Sequence, residues 1–439
     1  MINYYWPPSG GPAVQRWLAF TRYLRRWGYH ARVLTVDPAY ATYPLLDESL
    51  LEAVPETVEV ARTPAFDFFA WYKNMTGRKE VPASGFANEH KPSWGQKLAR
   101  FLRGNFFIPD PRRGWNPHAL KHAQQLLNQH PEIGAVITTG PPHSTHLIGR
   151  RLKRQFPDRI WIADFHDAWT DIWYYRAFFH TPPARWLDRR LEYKVLQECD
   201  AFLAVSASLQ SALLKKIKGP KKPASVVVTM GYDPALLEEQ TASYPDNARF
   251  TLTYVGTMAV SYAPEGLWQA ISEAADARPG LLRLRFVGIL DSGTQAQLKA
   301  FGLDDLTEQL GYVSHARAIS YMQQADALLI MNPLHDDRYG CIPGKLFEYL
   351  AARRPILGLA GPHSEVESIV TETRSGLVFQ RHQHGAIRDQ IVLWIDQWAK
   401  DGRPVLPFRD DIRRYARDRE TEKIALLVRD LLKQQDRST

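Results

Sequence analysis

The chain has 439 residues, 45% hydrophobic and 23% charged, which suits an ordinary globular protein long enough for two domains. Its formal charge is +8, from 55 lysines and arginines against 47 acidic residues; this suits anionic ligands and surfaces, but no nucleic-acid motif accompanies it. Two cysteines, Cys199 and Cys341, make neither a disulfide framework nor a metal cluster, and no run of about 18 apolar residues predicts a membrane span.

Ile2 to Trp6 reads as a strand, more as the end of a first strand than its beginning, so further residues are expected upstream. No basic-then-apolar signal pattern stands there. Pro7 to Pro12 is a loop with adjacent Gly10 and Gly11. Ala13 to Trp27 is a helix capped by Gly28, and His30 to Val36 is the next strand. This is a βαβ opening with a glycine-rich first turn, where backbone can approach a phosphate or sugar. A plain tight turn is the commoner use of two glycines.

From Thr63 to Trp115 the α/β rhythm lapses. Phe66, Phe68, Phe69, Trp71 and Tyr72 precede a polar stretch around Lys79 to Pro92. Trp94 to Phe107 then reads as an amphipathic helix, with Trp94, Leu98, Phe101 and Leu102 on one side and Lys97, Arg100 and Arg103 on the other. Such a helix can lie on an anionic bilayer, and the 13 tryptophans, clustered near basic residues, agree with an interface. The ordinary alternative is a helix packed by its apolar side with a solvated basic face.

Rhythm returns with a helix over His118 to Asn128 and a strand over Ala135 to Thr139. The loop Gly140 to His146 opens a helix from Leu147 to Gln155. Arg159 to Asp164 is a strand that runs into His166 and Asp167. Loops after parallel strands line the ligand crevice, so Thr139, Gly140, His143, His166 and Asp167 are expected to converge. Any one of these histidines can equally be core-bound. Arg185 to Gln197 is a helix, Ala201 to Val205 a strand, and Ser206 opens another helix. A solvated lysine-rich loop, Lys215 to Lys222, leads to a strand over Val226 to Thr229.

Ser243 to Asn247 reads as a linker, after which a second α/β series starts. Strands are expected at Phe250 to Val255, Leu282 to Val287 and Ala327 to Met331, and helices at Gly266 to Ala277, Leu298 to Phe301 and Ala316 to Gln324. Ser364 and Glu367 form a capping box. The series centres on Gly340 to Leu357. Pro343 and Gly344 open a helix, Arg353 and Arg354 occupy its last turn, Pro355 stops it, and Ile356 to Leu359 is a strand. Lys345 and Glu348 share a face of its first turns. They can meet phosphates and ribose hydroxyls at a helix N-terminus, or form an ordinary solvated pair.

This last stretch resembles the nucleotide-sugar signature of retaining glycosyltransferases of family 4. Their pattern is Glu-x7-Glu, and Glu348 matches its second Glu; the first position holds Gly340 instead. The P-x-K-x-x-E variant with Lys345 is similar to a branch found among bacterial polysaccharide proteins. Further likenesses are Tyr5-Trp-Pro-Pro-Ser-Gly-Gly-Pro with Gln15 and Arg16, and Asp164-Phe-His-Asp-Ala-Trp169 for D-F-R-D-P-W. Gly231-Tyr-Asp233 resembles N-G-x-D with Met230 at the Asn, and Ser314-His315 ends a stretch like G-x-V-x-H. The family's basic pair after Gly256 is missing through Gly266, and Lys345, with Arg338, is expected to take that role.

The resemblance implies an α/β protein of GT-B fold, with two Rossmann-like domains facing a central cleft. Residues 1–242 would form the acceptor-side domain with an insertion at about 63–115. Residues 248–405 would form the donor domain, and 406–439 a C-terminal segment, helical from Arg409 to Leu432, crossing back. The implied reaction is retaining transfer of a sugar from a nucleotide-diphosphate sugar to a glycan or lipid-linked acceptor in cell-surface polysaccharide assembly. It would need no metal and no cofactor. Donor-side residues would be Gly10, Gly11, Gly256, Gly344, Lys345 and Glu348. His166 and Asp167 would lie at the reacting carbons, and Gln15, Arg16, Thr139 and His143 on the acceptor side. The setting would be cytoplasmic, at the inner face of the membrane. An epimerase or hydrolase on the same fold, or a non-catalytic nucleotide-sugar or membrane-binding protein, are the other readings.

Overall fold

The computed structural model describes residues 1–66, 94–220, 222–235, 247–260, 262, 264–332, 342–402 and 410–437. The chain divides into two compact units, Met1–Met230 with Arg417–Thr439, and Gly231–Ala416. Of the expected linker only Asn247 is described. It belongs to the second unit, where its amide donates to Gln324 O (2.9 Å) and Asp326 Oδ2 (2.8 Å).

In the first unit, α1 (Pro12–Leu24) has a proline in its first turn, where a missing N–H matters least. A 3-10 turn and Gly28 in the left-handed region (φ 79°) end it. β1 (Arg32–Val36) and β2 (Glu59–Thr63) pair in parallel. Then come α2 (Trp94–Phe106), α3 (Asn116–Gln129), β3 (Ala135–Gly140), α4 (Ser144–Gln155) and β4 (Ile160–Phe165). α5 (Pro182–Glu198), β5 (Ala201–Ala204), α6 (Ala207–Lys216) and β6 (Ala224–Val227) complete the series. β3 to β6 form a parallel sheet in sequential order.

The expected strand Ile2–Trp6 is a single residue of pairing. Ile2 bridges Leu34 of β1 and Thr138 of β3, and the chain bends away at Tyr4 and Tyr5 toward the proline loop. The expected loop Lys215–Lys222 also differs. Lys215 and Lys216 close α6, because Lys216 Nζ is drawn to Asp171 (2.6 Å) and Glu192 (2.7 Å).

β4 is buried along its whole length, as a strand covered on both faces must be. One face carries Trp17 and Phe20 of α1 with Ile424 and Val428 of the C-terminal helix α13 (Arg417–Asp436). A second cluster joins Leu34 of β1 and Val136 of β3 to Trp115, Ala119, and Ile148 and Leu152 of α4. α13 is fixed by Glu420, fully buried, whose carboxylate accepts from Thr229 N and Oγ1, both at 3.0 Å.

The second unit runs β7 (Phe250–Val255), α7 (Glu265–Ala277), β8 (Leu282–Val287), α8 (Ser292–Ala300), β9 (Thr307–Gln309), α9 (His315–Gln323) and β10 (Ala327–Met331). It continues with α10 (Lys345–Ala352), β11 (Ile356–Leu359), α11 (Glu365–Thr373), β12 (Gly376–Phe379) and α12 (His384–Asp401). The strands form one parallel sheet in the order β12-β11-β10-β7-β8-β9. Its core joins Phe250, Leu252 and Phe286 to Trp268 of α7 and Trp394 of α12.

α8 starts six residues before the expected Leu298, because Asp291 caps it by accepting from Thr294 N (2.7 Å). α10 ends at Ala352. Arg353 is its left-handed C-cap (φ 51°) rather than part of its last turn, and Arg354 Nε donates to Gln323 O at 2.8 Å. Half of the expected capping box forms at α11: Ser364 Oγ accepts from Glu367 N at 3.2 Å, but the Glu367 carboxylate takes the N–H of His363, one residue before the cap, at 2.6 Å.

Candidate functional site

In open parallel sheets the loops beyond the C-terminal strand ends carry ligands. In the second unit, Lys345 opens α10 at that edge. Its Nζ donates to Val255 O, the last residue of β7, at 2.7 Å, and lies 4.0 Å from the Tyr254 ring centroid. Removal from water lowers its pKa to about 7, with Glu348 pulling the other way.

Gly256 has φ 118°, and a Cβ there would stand 2.9 Å from the ammonium. Glycine is needed for the conformation and for the space. Tyr349 ties the helix down: its OH accepts from Val255 N (3.0 Å) and donates to Leu329 O (3.3 Å). Gly344, just before Lys345, is the N-cap residue.

Glu348 and Lys345 turn to different partners, so the ordinary solvated pair does not form. Glu348 Oε1 accepts from His315 Nε2 at 2.8 Å. The Glu348 side chain is 13% exposed and that of His315 37%. His315 starts α9, behind its cap Ser314. The loop motif ending in His315 was legible; its meeting with Glu348 was not, because it joins the starts of two helices far apart in sequence. A second residue that the pattern missed is Arg381, just past β12, which donates to Tyr262 O (3.3 Å) and Asn332 O (2.6 Å). Gly340 and Arg338 lie outside the described residues.

In the first unit, Gly11 caps α1 at φ 110° with open space where a side chain would stand, and Gln15 is half-buried one turn on. Gly10 is pinned by its N–H to Leu45 O (2.9 Å). Arg16, expected on the acceptor side, is fully buried instead. Its guanidinium donates to Asp164 Oδ2 (2.8 Å), Val228 O (2.8 Å) and Thr229 O (3.1 Å), joining α1 to the ends of β4 and β6. Trp17 Nε1 reaches the same Asp164 oxygen at 2.7 Å. Burial pushes the Asp164 carboxyl up, but Arg16 and then His166 outweigh it and hold it below the usual carboxylate range.

His166 turns inward, with Nε2 2.7 Å from both Arg16 Nη1 and Asp164 Oδ2, while its Nδ1 is buried without a hydrogen-bond partner. Asp167 beside it is half-buried, and burial raises its pKa against the pull of His166. Thr139 is also internal, donating to Asn3 Oδ1 at 2.8 Å.

His143 lies flat on Trp169, ring centroids 4.8 Å apart and planes 4° apart. Burial, with His146, Lys216 and His166 nearby, lowers its pKa well below the usual histidine range, so it is neutral at physiological pH. Trp169 is positioned in turn by Asp188, which accepts from Trp169 Nε1 (2.8 Å) and Tyr175 OH (2.9 Å) and whose pKa burial raises to about 7. Gly140 makes the close approach possible. A Cβ there would fall 2.6 Å from His146 Nε2 and 2.9 Å from His143 Nδ1. Of the expected residues here, Gly11, Gln15, His143 and Asp167 keep accessible surface, whereas Arg16 and Thr139 are internal struts. Among the described residues no group of three or more His, Cys, Asp or Glu side chains is placed to hold a metal ion.

No protein-family model matches the chain, and no curated protein sequence is detectably similar. Solved structures do match along its whole length. HepE of Anabaena, solved in complex with UDP, is 13% identical with a TM-score of 0.54, covering 100% of this chain and 98% of that one. A glycosyltransferase from Rickettsia africae is 11% identical with a TM-score of 0.60, at 98% of each chain. WaaG, a glycosyltransferase involved in lipopolysaccharide biosynthesis, is 13% identical with a TM-score of 0.53, also at 98% of each chain. At these identities the likeness defines the fold: the chain has the GT-B glycosyltransferase fold.

Proposed function

We propose that the protein is a metal-independent retaining glycosyltransferase. It would move a sugar from a nucleotide-diphosphate sugar to a glycan or lipid-linked acceptor in cell-surface polysaccharide assembly, at the cytoplasmic face of a membrane. The observation that carries this reading is the desolvated Lys345 ammonium beside Gly256, at the N-terminus of α10 and the C-terminal end of β7. The positive end of a helix dipole and one cation beside it make an anion site. A diphosphate there is held in the ground state, and its charge is neutralised as it leaves.

Glu348, oriented by His315, accepts from ribose hydroxyls. The bond from the anomeric carbon to the diphosphate breaks, and the acceptor oxygen bonds to that carbon on the same face. The acceptor's proton passes to the departing phosphate oxygen. The complex of HepE with UDP supports a uridine nucleotide as the first candidate. In the first unit, Asp167 and neutral His143 are the groups available to accept hydrogen bonds from acceptor hydroxyls, with the Gly11 turn beside α1.

The experiment is a thermal-shift screen of the full chain with UDP, GDP, ADP, dTDP and CMP, each with and without EDTA. A ligand that binds the native state raises the midpoint, by RT ln(1 + [L]/Kd) in stability. The expected result is a rise with one nucleoside diphosphate that EDTA leaves unchanged. No rise with any of them would overturn the donor site.

A further inference from the structure

The helix α2 is inside out. Its apolar stripe, Trp94, Leu98, Phe101, Leu102 and Phe106, faces solvent, with Trp94 79% and Phe106 67% exposed. Its buried positions are Arg100 and Gly104. Helices of globular proteins ordinarily bury the stripe and solvate the charges. The orientation is pinned from the polar side. The Arg103 guanidinium lies 4.6 Å over the Phe178 ring, and Gly104 approaches so closely that a Cβ would meet Phe178 O at 2.5 Å. Asn105 Nδ2 donates to Phe179 O (3.2 Å), and Asn105 Oδ1 accepts from Thr181 N and Oγ1, both at 2.7 Å. Those contacts fix the start of α5 as well.

α5 packs beside α2 and repeats the theme. Arg185, Trp186, Leu187, Arg189, Arg190 and Tyr193 are exposed, with Trp186 at 60%. Two of its acids, Asp188 and Glu192, are buried. Between the helices stands Phe179, 47% exposed and held in the left-handed region (φ 49°), an unusual conformation for a bulky residue. α2 contains no acidic residue, and Lys97 lies on its exposed side. The surface is therefore aromatic and cationic.

We infer that the exposed faces of α2 and α5 form a docking surface for an anionic lipid bilayer. Tryptophan, tyrosine and phenylalanine enter the headgroup boundary while lysine and arginine meet lipid phosphates. Charge selects this occupant: an acid-poor, arginine-bearing face matches an anionic bilayer, whereas a second copy of the same face would set like charges together. The inference does not depend on the donor site, since bilayer binding needs no nucleotide.

The test is co-sedimentation of the full chain with phosphatidylcholine vesicles, with and without about one-third phosphatidylglycerol, at low and high salt. The variants are Trp94→Ser/Trp186→Ser and Arg185→Ser/Arg189→Ser. All four residues are exposed, and none is part of the proposed site. Binding is expected only with phosphatidylglycerol and should weaken with salt. Each basic residue near the surface contributes roughly fivefold, so the arginine pair should lower partitioning by about 25-fold. The tryptophan pair should lower it at least tenfold, with the thermal midpoint unchanged. No binding by the parent protein, or binding by both variants equal to the parent's, would overturn the inference. So would a dimer in solution that the variants dissociate while vesicles fail to bind.

Discussion

The proposed donor site would couple protonation of Lys345 to anion binding in a way that calorimetry can read. An ordinary lysine titrates near 10.5; desolvation brings this one to about 7. The unfolded chain therefore holds the proton more tightly than the folded one. Stability of the free protein rises with pH between about 7 and 10.5, and the penalty for burying the ammonium is felt in full below pH 7. That penalty is on the order of 3 kcal/mol once partial solvent access is discounted.

A nucleoside diphosphate bound as proposed would reverse the balance, because phosphate beside Nζ favours the charged amine. Above pH 7 the complex must take up a proton, and affinity should fall toward tenfold per pH unit. Between pH 7 and 8.5, where the terminal phosphate stays fully ionised, Kd for UDP should rise about fifteenfold. Titration calorimetry in two buffers of different ionisation enthalpy should find close to one proton taken up per UDP at pH 8.5. Lys345→Met should bind more weakly at pH 7 and show neither the slope nor the uptake. A flat affinity in the parent protein, or the same slope in the variant, would refute the reasoning.

Two further outcomes follow from buried carboxylates. Asp164→Asn leaves Arg16 buried without its counter-charge, a loss of about 3–5 kcal/mol in urea unfolding at pH 7; a change under 1 kcal/mol would show that the pair is not holding α1 to β4. Asp188 has a pKa raised to about 7, so its contribution to stability is complete below the ordinary carboxyl range and is lost as pH rises through 7. Asp188→Asn should be more stable than the parent at pH 8 by about 1 kcal/mol or more, with the difference gone near pH 4. An advantage independent of pH would contradict that assignment.

Strands were legible wherever both faces are covered. Ile160–Phe165 and Ala327–Met331 are near-continuous apolar runs, and Phe250–Val255 interrupts its apolar residues only with the β-branched Thr251 and Thr253; a run of that length bounded by turn residues has few other uses. β2 was not legible, because Glu59-Val-Ala-Arg-Thr63 has only Thr63 buried and no apolar run to announce it. Ile2–Trp6 failed differently. Its composition suits a strand, but pairing requires partners in register, and only Ile2 meets Leu34 and Thr138 before the chain bends toward Pro7. For α2 the amphipathic period was plain, while its direction was not. Periodicity says that two faces differ, and only the contacts of Gly104 and Asn105 decide which one turns outward.

The same distinction governs the site. Residues beyond strand ends were placed correctly in the chain, yet whether each faces outward depends on partners from other elements. Arg16 has the spacing of a cleft residue, but Asp164 and the carbonyls of Val228 and Thr229 stand where its Nε, Nη1 and Nη2 donors are drawn inward, so it becomes internal. His166 follows it, because its Nε2 stands where it can donate to Asp164 when protonated or accept from Arg16 in the other tautomer. Lys345 meets the opposite circumstance. It has one carbonyl, an aromatic face and a glycine with no side chain, which is enough to hold an amine but too little to compensate a full charge. A buried cation left under-compensated is the one that an incoming anion can still stabilise, and that difference is why ligand binding is proposed for Lys345 and not for Arg16, whose contacts are all internal.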